Sequence, residues 1–523
     1  MLQLRLPPLL ALSACVGGAG AEIQTSAPQP ADLLFVRLGG AGNGEWVLVD
    51  SILRDADLWV DQDTNPGVEY PFQYDLLDAG GEVVFHGSRR EPVQIREFLA
   101  AQNIGTDPFL ALPKLGDLAI LIPRDTDAVE IAFSLKDNET VIDLGRFALS
   151  EIPDAEPSAF PAERLSGTAL PEEAFDIVIL GDGYTDAELP LFQEQAALVA
   201  AEFAQTEPFL SYSDRINFWR VDVTSAEAGA SYDCSASEVV PGCIDGWRDT
   251  AFGSVFPLRA VGLLTGQDLW DVVLFQLEQW EVFRAASAAP FDHAIVLVNT
   301  PKYGAFGMYA TSIYTGDSEL ASNPFEQGTI HEFGHAFGLL ADEYSNHSSP
   351  CQQYAVTPYF PNLAPFAPVD VEVRWSQWVT EDVPLPTPNS SDWSDAIGLF
   401  RGVGGGCSDL YRPAWRCRMY NWGRPFCDVC TEQLVKRFYQ QFDAVDENDL
   451  HVHFYQVVPL LPDDGTFAAE WWIDGESAGN GLEPLFTLDK PRPLTVDWVV
   501  QPVLDTVRQS PEDLQETIRI VIP

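Results

Sequence analysis

Between residues 31 and 150 short apolar runs alternate with turn residues. LLFVRL, EWVLVD, FQYDLLDAGGEVVFHG and DAVEIAFSL have the compact or alternating apolar pattern of strands. Asp78-Ala79-Gly80-Gly81 supplies a hairpin-type turn. A β-sandwich over 31–150 is the economical fold. The pattern changes after a Pro-containing linker over 151–164, within EIPDAEPSAFPAERLSG. FDIVILGDGYT reads as a buried strand ending in a glycine turn. Thr185 and Glu188 then have capping-box spacing ahead of the helical pattern AELPLFQEQAALVAAEFAQ. INFWRVDV and HAIVLVNT read as further strands, and GQDLWDVVLFQLEQW predicts a helix between them. From His451 onward, HVHFYQVV, FAAEWWIDG, LTVDWVV and TIRIVI return to strands and predict a second β-sandwich over 446–523. The fold class expected is therefore α+β and multidomain, with a mixed α/β domain over 165–445 flanked by two β-sandwich domains.

Composition narrows the function. A formal charge of −49 over 523 residues repels phosphate, so no nucleic-acid partner is expected. At the N-terminus one basic residue, Arg5, precedes an apolar run that is too short to span a bilayer. It ends in Leu12-Ser13-Ala14-Cys15, which resembles a lipoprotein lipobox. The expectation is a signal peptide over 1–15, a linker over 16–30 and lipid attachment at Cys15, giving an exported protein of the bacterial cell envelope. Its membrane contact would be through that anchor alone. Plain secretion with cleavage after Ala19-Gly20-Ala21 is the alternative.

Export changes how the cysteines read. Besides Cys15 there are seven, an odd number: Cys234, Cys243, Cys351, Cys407, Cys417, Cys427 and Cys430. Cys234 and Cys243 bracket a short polar loop that a disulfide would close. For Cys351 and the group from Cys407 to Cys430, disulfides are the default and a second zinc site is the alternative. Asp61 to Asn65, DQDTN, spaces oxygens like the start of a calcium loop. It lacks the following Gly and the distant Glu in register, so it reads as a solvated turn and calcium has no further support. No sequence feature specifies an oligomeric state.

The chemistry concentrates in GTIHEFGHAFGLLADEY, residues 328–344. His331-Glu332-Phe333-Gly334-His335 matches H-E-x-x-H. On a helix, residues i and i+4 share a face, so both imidazoles can converge on one zinc ion. Glu332 beside them can accept a proton from water that the metal makes acidic. With only seven histidines in the chain, this arrangement argues against coincidence. A third ligand must come from elsewhere. Asp342 would sit about 10.5 Å past His335 on a continuous helix, out of reach of the same ion. A left-handed Gly338 ending the helix would turn the chain back. Asp342 is then the preferred third ligand, Glu343 the next, with His347 and Glu432 as further candidates. H-E-x-x-H-x-x-G is the metzincin pattern, in which a methionine turn lies beneath the metal. Met419, in CRMYNWGRPFCDVC, fits that role better than Met308, which reads as packing. Tyr344 and Tyr420 are candidates to stabilise an oxyanion.

FDIVILGDGYT, GMYATSIYTG, GTIHEFGHAFGLLADEY and CRMYNWGRPFCDVC together resemble the IgA peptidase family of bacterial zinc metallopeptidases. The resemblance runs from about residue 165 to 443. It implies a metzincin-like α/β zinc peptidase domain with one catalytic zinc, His331 and His335 as ligands and Glu332 as base. It does not imply that immunoglobulin A is cut, because specificity lies in cleft residues that no motif reports. The function expected is a zinc metalloendopeptidase acting on protein or peptide substrates, with an extended substrate adding to the strand GMYATSIYTG. The alternatives are a surface binding or adhesion protein with a non-catalytic zinc site, and a zinc hydrolase of non-peptide amides.

Overall fold

The computed structural model describes residues 22–25, 30–40, 46–59, 72–89, 117–123, 127–137, 140–151, 158–171, 174–232, 246–256, 274–276, 278–307, 311–315, 324–344, 360–365, 374–403, 407–439, 446–451, 454–456, 466–480, 494–504, 506–508 and 515–522. The chain divides into two compact units, residues 30–437 and residues 438–523 with 1–29. The boundary expected at 151–164 falls inside the larger unit.

That unit is organised on a six-stranded sheet. From one edge the order is Ala305–Gly307, Thr311–Tyr314, His293–Val298, Phe175–Asp182, Ile216–Val221 and Ala162–Ser166. The four inner strands are parallel and the two outer ones antiparallel to their neighbours. Every residue of Phe175–Asp182 and of His293–Val298 is buried, which is why both read as unbroken apolar runs: elements cover both faces. Among the described residues the α-helices of this unit are α1 (Leu189–Phe203), α2 (Gln279–Ala286), α3 (Phe325–Ala336) and α4 (Asp428–Tyr439), whose last two residues belong to the second unit. α3 packs against α1 and against the strands Ala305–Gly307 and Thr311–Tyr314. Among the described residues no helix is long and apolar enough to cross a membrane.

Several expectations need correcting. Of the helix expected over GQDLWDVVLFQLEQW, residues 266–273 lie outside the described residues; within the rest, Phe275–Gln276 is a short strand paired antiparallel with Ser254–Phe256, and Gln279 opens α2. Gln276 is buried and donates from Nε2 to Ser254 Oγ at 3.1 Å, a partner that the extended conformation reaches. The capping box is half formed. Glu188 accepts from the backbone N–H and hydroxyl of Thr185 at 3.1 and 2.7 Å, but α1 starts at Leu189 and the Thr185 hydroxyl donates rather than caps. Thr311–Tyr314 is not an edge. It lies between two strands, and Ala305–Gly307 occupies the sheet margin.

Residues 30–151 of the larger unit carry two antiparallel sheets, one of three strands and one of four. In the second unit Glu22–Thr25, within the stretch expected to be a linker, pairs with Glu516–Ile522. It completes a five-stranded antiparallel sheet with Thr466–Ile473, Glu476–Asn480 and Leu494–Val503. A two-stranded sheet, Asp446–His451 with Phe454–Gln456, accompanies it.

Candidate metal centre

α3 is fixed from behind. Ile330, Phe333 and Phe337 recur at helical spacing and are all buried. Phe333 meets Phe203 at 5.2 Å, Phe209 at 5.5 Å and Phe175 at 6.3 Å edge to face, and stacks on Phe337 at 5.0 Å. This wedge of rings faces one way and His331 and His335 the other, their ring centroids 4.7 Å apart. The buried His293 belongs to the packing. Its ring meets Phe333 at 4.9 Å, Nε2 lies 2.9 Å from Thr311 Oγ1, and burial pushes its pKa down to about 3.

The chain does turn back after α3, but not by the expected device. Leu339, with φ of 54°, takes the left-handed conformation; Gly338 does not. Gly338 is needed for a different reason: a Cβ there would sit 2.8 Å from Gly334 O and 2.9 Å from Leu434 Cδ2. The turn is closed by Phe337 N–H donating to Phe333 O and Leu340 N–H donating to Gly334 O. Beyond it, buried Asn362 grips the returning chain. Its Oδ1 accepts from Ala341 N at 2.9 Å, and its Nδ2 donates to Ala341 O at 2.8 Å and Glu343 Oε1 at 3.1 Å.

Asp342 thereby meets both histidines. Its Oδ1 lies 3.1 Å from His331 Nε2 and 3.1 Å from His335 Nε2, and the two Nε2 atoms are 3.1 Å apart. The other ring nitrogens are committed: His331 Nδ1 donates to Arg418 O at 2.9 Å and His335 Nδ1 to Leu340 O at 2.7 Å. A carbonyl only accepts, so each neutral ring carries its proton on Nδ1 and turns a bare Nε2 inward. Two lone pairs and a carboxylate oxygen then face one another, which only a cation or a proton makes favourable. The donor set, two imidazoles and a carboxylate, is the kind that binds zinc. Donors around a tetrahedral zinc at about 2.0–2.1 Å stand about 3.3 Å apart, close to the observed triangle. Without an ion a proton takes the place. Burial works against charging His335, but the charge and hydrogen bond of Asp342, then Glu332 and the Leu340 carbonyl, push its pKa up to about 9. Burial likewise opposes ionising Asp342, yet the two histidines hold its carboxyl well below the ordinary range.

Glu332 is buried beside the triangle. Burial pushes its carboxyl above the ordinary range, His335 and His331 pull it down, and Asp342 adds an upward push. Three aromatic side chains complete the surroundings. Tyr344 donates to Asp342 and stacks on His331 at 6.3 Å, Trp422 lies 6.1 Å from His331, and Tyr303 stacks on Trp422 at 5.4 Å. The Tyr303 hydroxyl is held protonated, first by burial and then by the charge of Glu332. The sheet margin reaches the same place, since a Cβ on Gly307 would collide with Glu332 O.

Met419 lies under α3, fully buried, its Sδ 2.8 Å from where a Cβ on Gly334 would stand. Its carbonyl accepts from Glu343 N–H at 2.8 Å. The 417–421 turn, closed by Tyr420 and Asn421 N–H donating to Cys417 O, thus supports α3 from below and supplies Arg418 O to His331. Tyr420 does not join the triangle; it lies under the Arg412 guanidinium at 4.9 Å. Neither Glu343 nor Glu432 belongs to the three-donor group. Glu343 instead sits among Cys417, Cys427 and Cys430, none of them in a disulfide. Cys15, Cys234, Cys243, Cys351, Met308, His347 and the 61–65 turn lie outside the described residues. Tyr303, Trp422, Asn362 and Arg418 were missed in the sequence. Arg418 and Trp422 stand in the stretch CRMYNWGRPFCDVC, where nothing local marks them for this role, Tyr303 and Asn362 stand in no motif, and only the fold brings all four to α3.

No curated protein matches the chain. Residues 164–395 match the model of a family described as IgA Peptidase M64. The matched segment takes in α3, Glu332, Asp342 and Asn362, and it ends before the Met419 turn and its cysteines. That match supports assigning residues 164–395 to the IgA peptidase M64 family, which implies a peptidase.

Proposed function

We propose that the protein is an exported zinc-dependent metalloendopeptidase in which His331, His335 and Asp342 hold one zinc ion and Glu332 is the general base. The observation that carries this reading is the 3.1 Å triangle of donor atoms beside a buried carboxylate. A zinc ion bound there supplies Lewis acidity and lowers the pKa of water towards neutrality. Glu332 accepts the proton of the attacking water and returns it to the leaving amine. Burial, which raises its pKa, favours its holding that proton between the two halves of the transfer. Tyr303, kept protonated close to Glu332, and Tyr344, whose proton goes to Asp342, are donors at the site. Strand addition of an extended substrate now falls to the margin strand Ala305–Gly307, which ends against Glu332. In the same reading the two N-terminal sheets and the C-terminal sheet are β-sandwich domains that present the substrate or the enzyme. Cys15 anchors the protein to the envelope; loss of acyl labelling in Cys15→Ser tests that part.

The decisive experiment replaces Glu332 with Ala and measures metal content and digestion of a peptide library together. A peptidase keeps its zinc and loses hydrolysis by about 10²–10⁴-fold. A binding protein shows no hydrolysis in either form. Hydrolysis restricted to non-peptide amides moves the substrate class. Undiminished peptide cleavage by the variant removes Glu332 from the chemistry.

A further inference from the structure

We propose that Cys417, Cys427, Cys430 and Glu343 form a second, structural metal site for a thiophilic divalent ion, zinc by its donors, which ties the segment carrying Asp342 to the Met419 turn. The three sulfurs and a Glu343 oxygen all lie within 4.8 Å of one another. Sulfurs on a tetrahedral zinc, at bonds of about 2.3 Å, stand about 3.8 Å apart, so small movements close the shell. Cys430 Sγ is already 3.4 Å from Glu343 Oε1. Cys427 N–H donates to Cys417 Sγ at 3.2 Å, a contact that stabilises a thiolate.

Glu343 is the independent sign that something is held there. It is 0% exposed, and its Oε2 has no hydrogen-bond partner. Asn362 and Cys430 serve only Oε1. A buried acceptor left bare is costly, and a buried carboxylate far more so. Arg412, the nearby cation, supplies charge but no hydrogen bond. Its donors go to the carbonyls of Ala414, Arg401, Gly402 and Trp415. A disulfide would use two of the three sulfurs, strand the third and leave Glu343 as it is. A metal uses all four groups, releases the thiol protons to solvent and leaves no open position, the mark of a structural site. Cys427 directly precedes α4 and Cys430 lies in its first turn, where the helix end favours thiolates.

The site lies one residue from the other. Asp342 goes to the histidines and Glu343 to the cysteines, while Glu343 N–H holds Met419 O. An ion on the cysteines therefore fixes the backbone that carries Asp342.

The test uses the full chain. Zinc is measured per chain in the wild type, in a His331→Ala/His335→Ala variant and in Cys417→Ser. Two equivalents are expected in the first and one in each of the others. Cobalt(II) added to the histidine variant should give a thiolate-to-cobalt charge-transfer band, which Glu343→Gln shifts. That readout needs neither activity nor a folded cysteine variant. A histidine variant that binds no metal overturns the proposal. So does a mass spectrum, after denaturing alkylation, in which two of the three cysteines are joined as a disulfide. Either result leaves the peptidase reading intact. A histidine variant that keeps its thiolate-bound metal while the wild type cleaves no peptide would reject the peptidase reading alone.

Discussion

In the chelated protein the proton shared at the histidine triangle should be visible as stability. His335 moves from an ordinary pKa of 6.5 to about 9 against the opposing effect of burial, chiefly because Asp342 faces it at 3.1 Å. That difference corresponds to about 3 kcal/mol of preference for the folded state. Because the folded pKa is raised, the contribution is complete below pH 6.5 and is lost as pH climbs through about 9. The depressed Asp342 carboxyl is the other side of the same contact and is counted once. Its own window lies in acid, where stability falls as Asp342 protonates. Asp342→Asn keeps the shape and removes the charge, so His335 is left to burial and its pKa falls. Urea unfolding of both proteins, with chelator present throughout, isolates the pair, since every other titration is common to them. The wild type should lead by about 3 kcal/mol at pH 6.5 and the lead should close by about pH 10, a large part of a typical total stability. Zinc competes for the same site, so the affinity of the histidine triangle should fall about tenfold per pH unit below about 9. A lead that is flat, or that widens with pH, would refute the shared-proton account and with it the convergence of the three groups.

Phe333→Ala removes the ring on which α3 rests and should cost about 3–5 kcal/mol in urea unfolding, although Phe333 points away from the histidines. Asn362→Ala should weaken metal binding at the histidine triangle by about 10–100-fold in a competitive zinc titration. It touches no ligand there, but frees the backbone on the N-terminal side of Asp342 and the carboxylate on the other. Gly307→Ala forces a methyl against Glu332 O and should destabilise by about 1–3 kcal/mol, read as a lower thermal midpoint.

What could be read in advance depended on how local the determining contacts are. His331, Glu332 and His335 share one helix, so their common face follows from 3.6 residues per turn. The return of Asp342 was inferred from Gly338, and the direction of the chain was right while the device was not. Leu339 takes the left-handed conformation, while Gly338 is held by the approach of Gly334 O and Leu434, and no local pattern announces either. The region around 274–280 was misjudged for a related reason. Its apolar spacing suits a helix, but pairing with Ser254–Phe256 makes part of it a strand. Tyr303, Asn362, Arg418 and Trp422 reach the site from segments separated by tens of residues, and a single aromatic or amide in a loop carries no periodic signal.

The same contrast bears on why Asp342 and Glu343 are adjacent. Two neighbouring carboxylates in the interior of a protein of net charge −49 repel one another and are costly to bury, so their retention needs compensation on each side. On one side the two imidazoles compensate, whether through a proton or an ion. On the other, Glu343 has one amide, one thiol and an oxygen with nothing. If Glu343 served only to position Asp342, a glutamine would do so without the buried charge and would offer a donor where the bare oxygen now lies. A carboxylate among three sulfurs is the better group only if a cation is to be held. The sequence Asp-Glu at this point then makes mechanical sense: one backbone segment, gripped by Asn362, carries one donor to the histidine triangle and the next to the thiolates. Loosening either cluster should be felt at the other through Asn362 and Met419, without any contact between the two sets of donors.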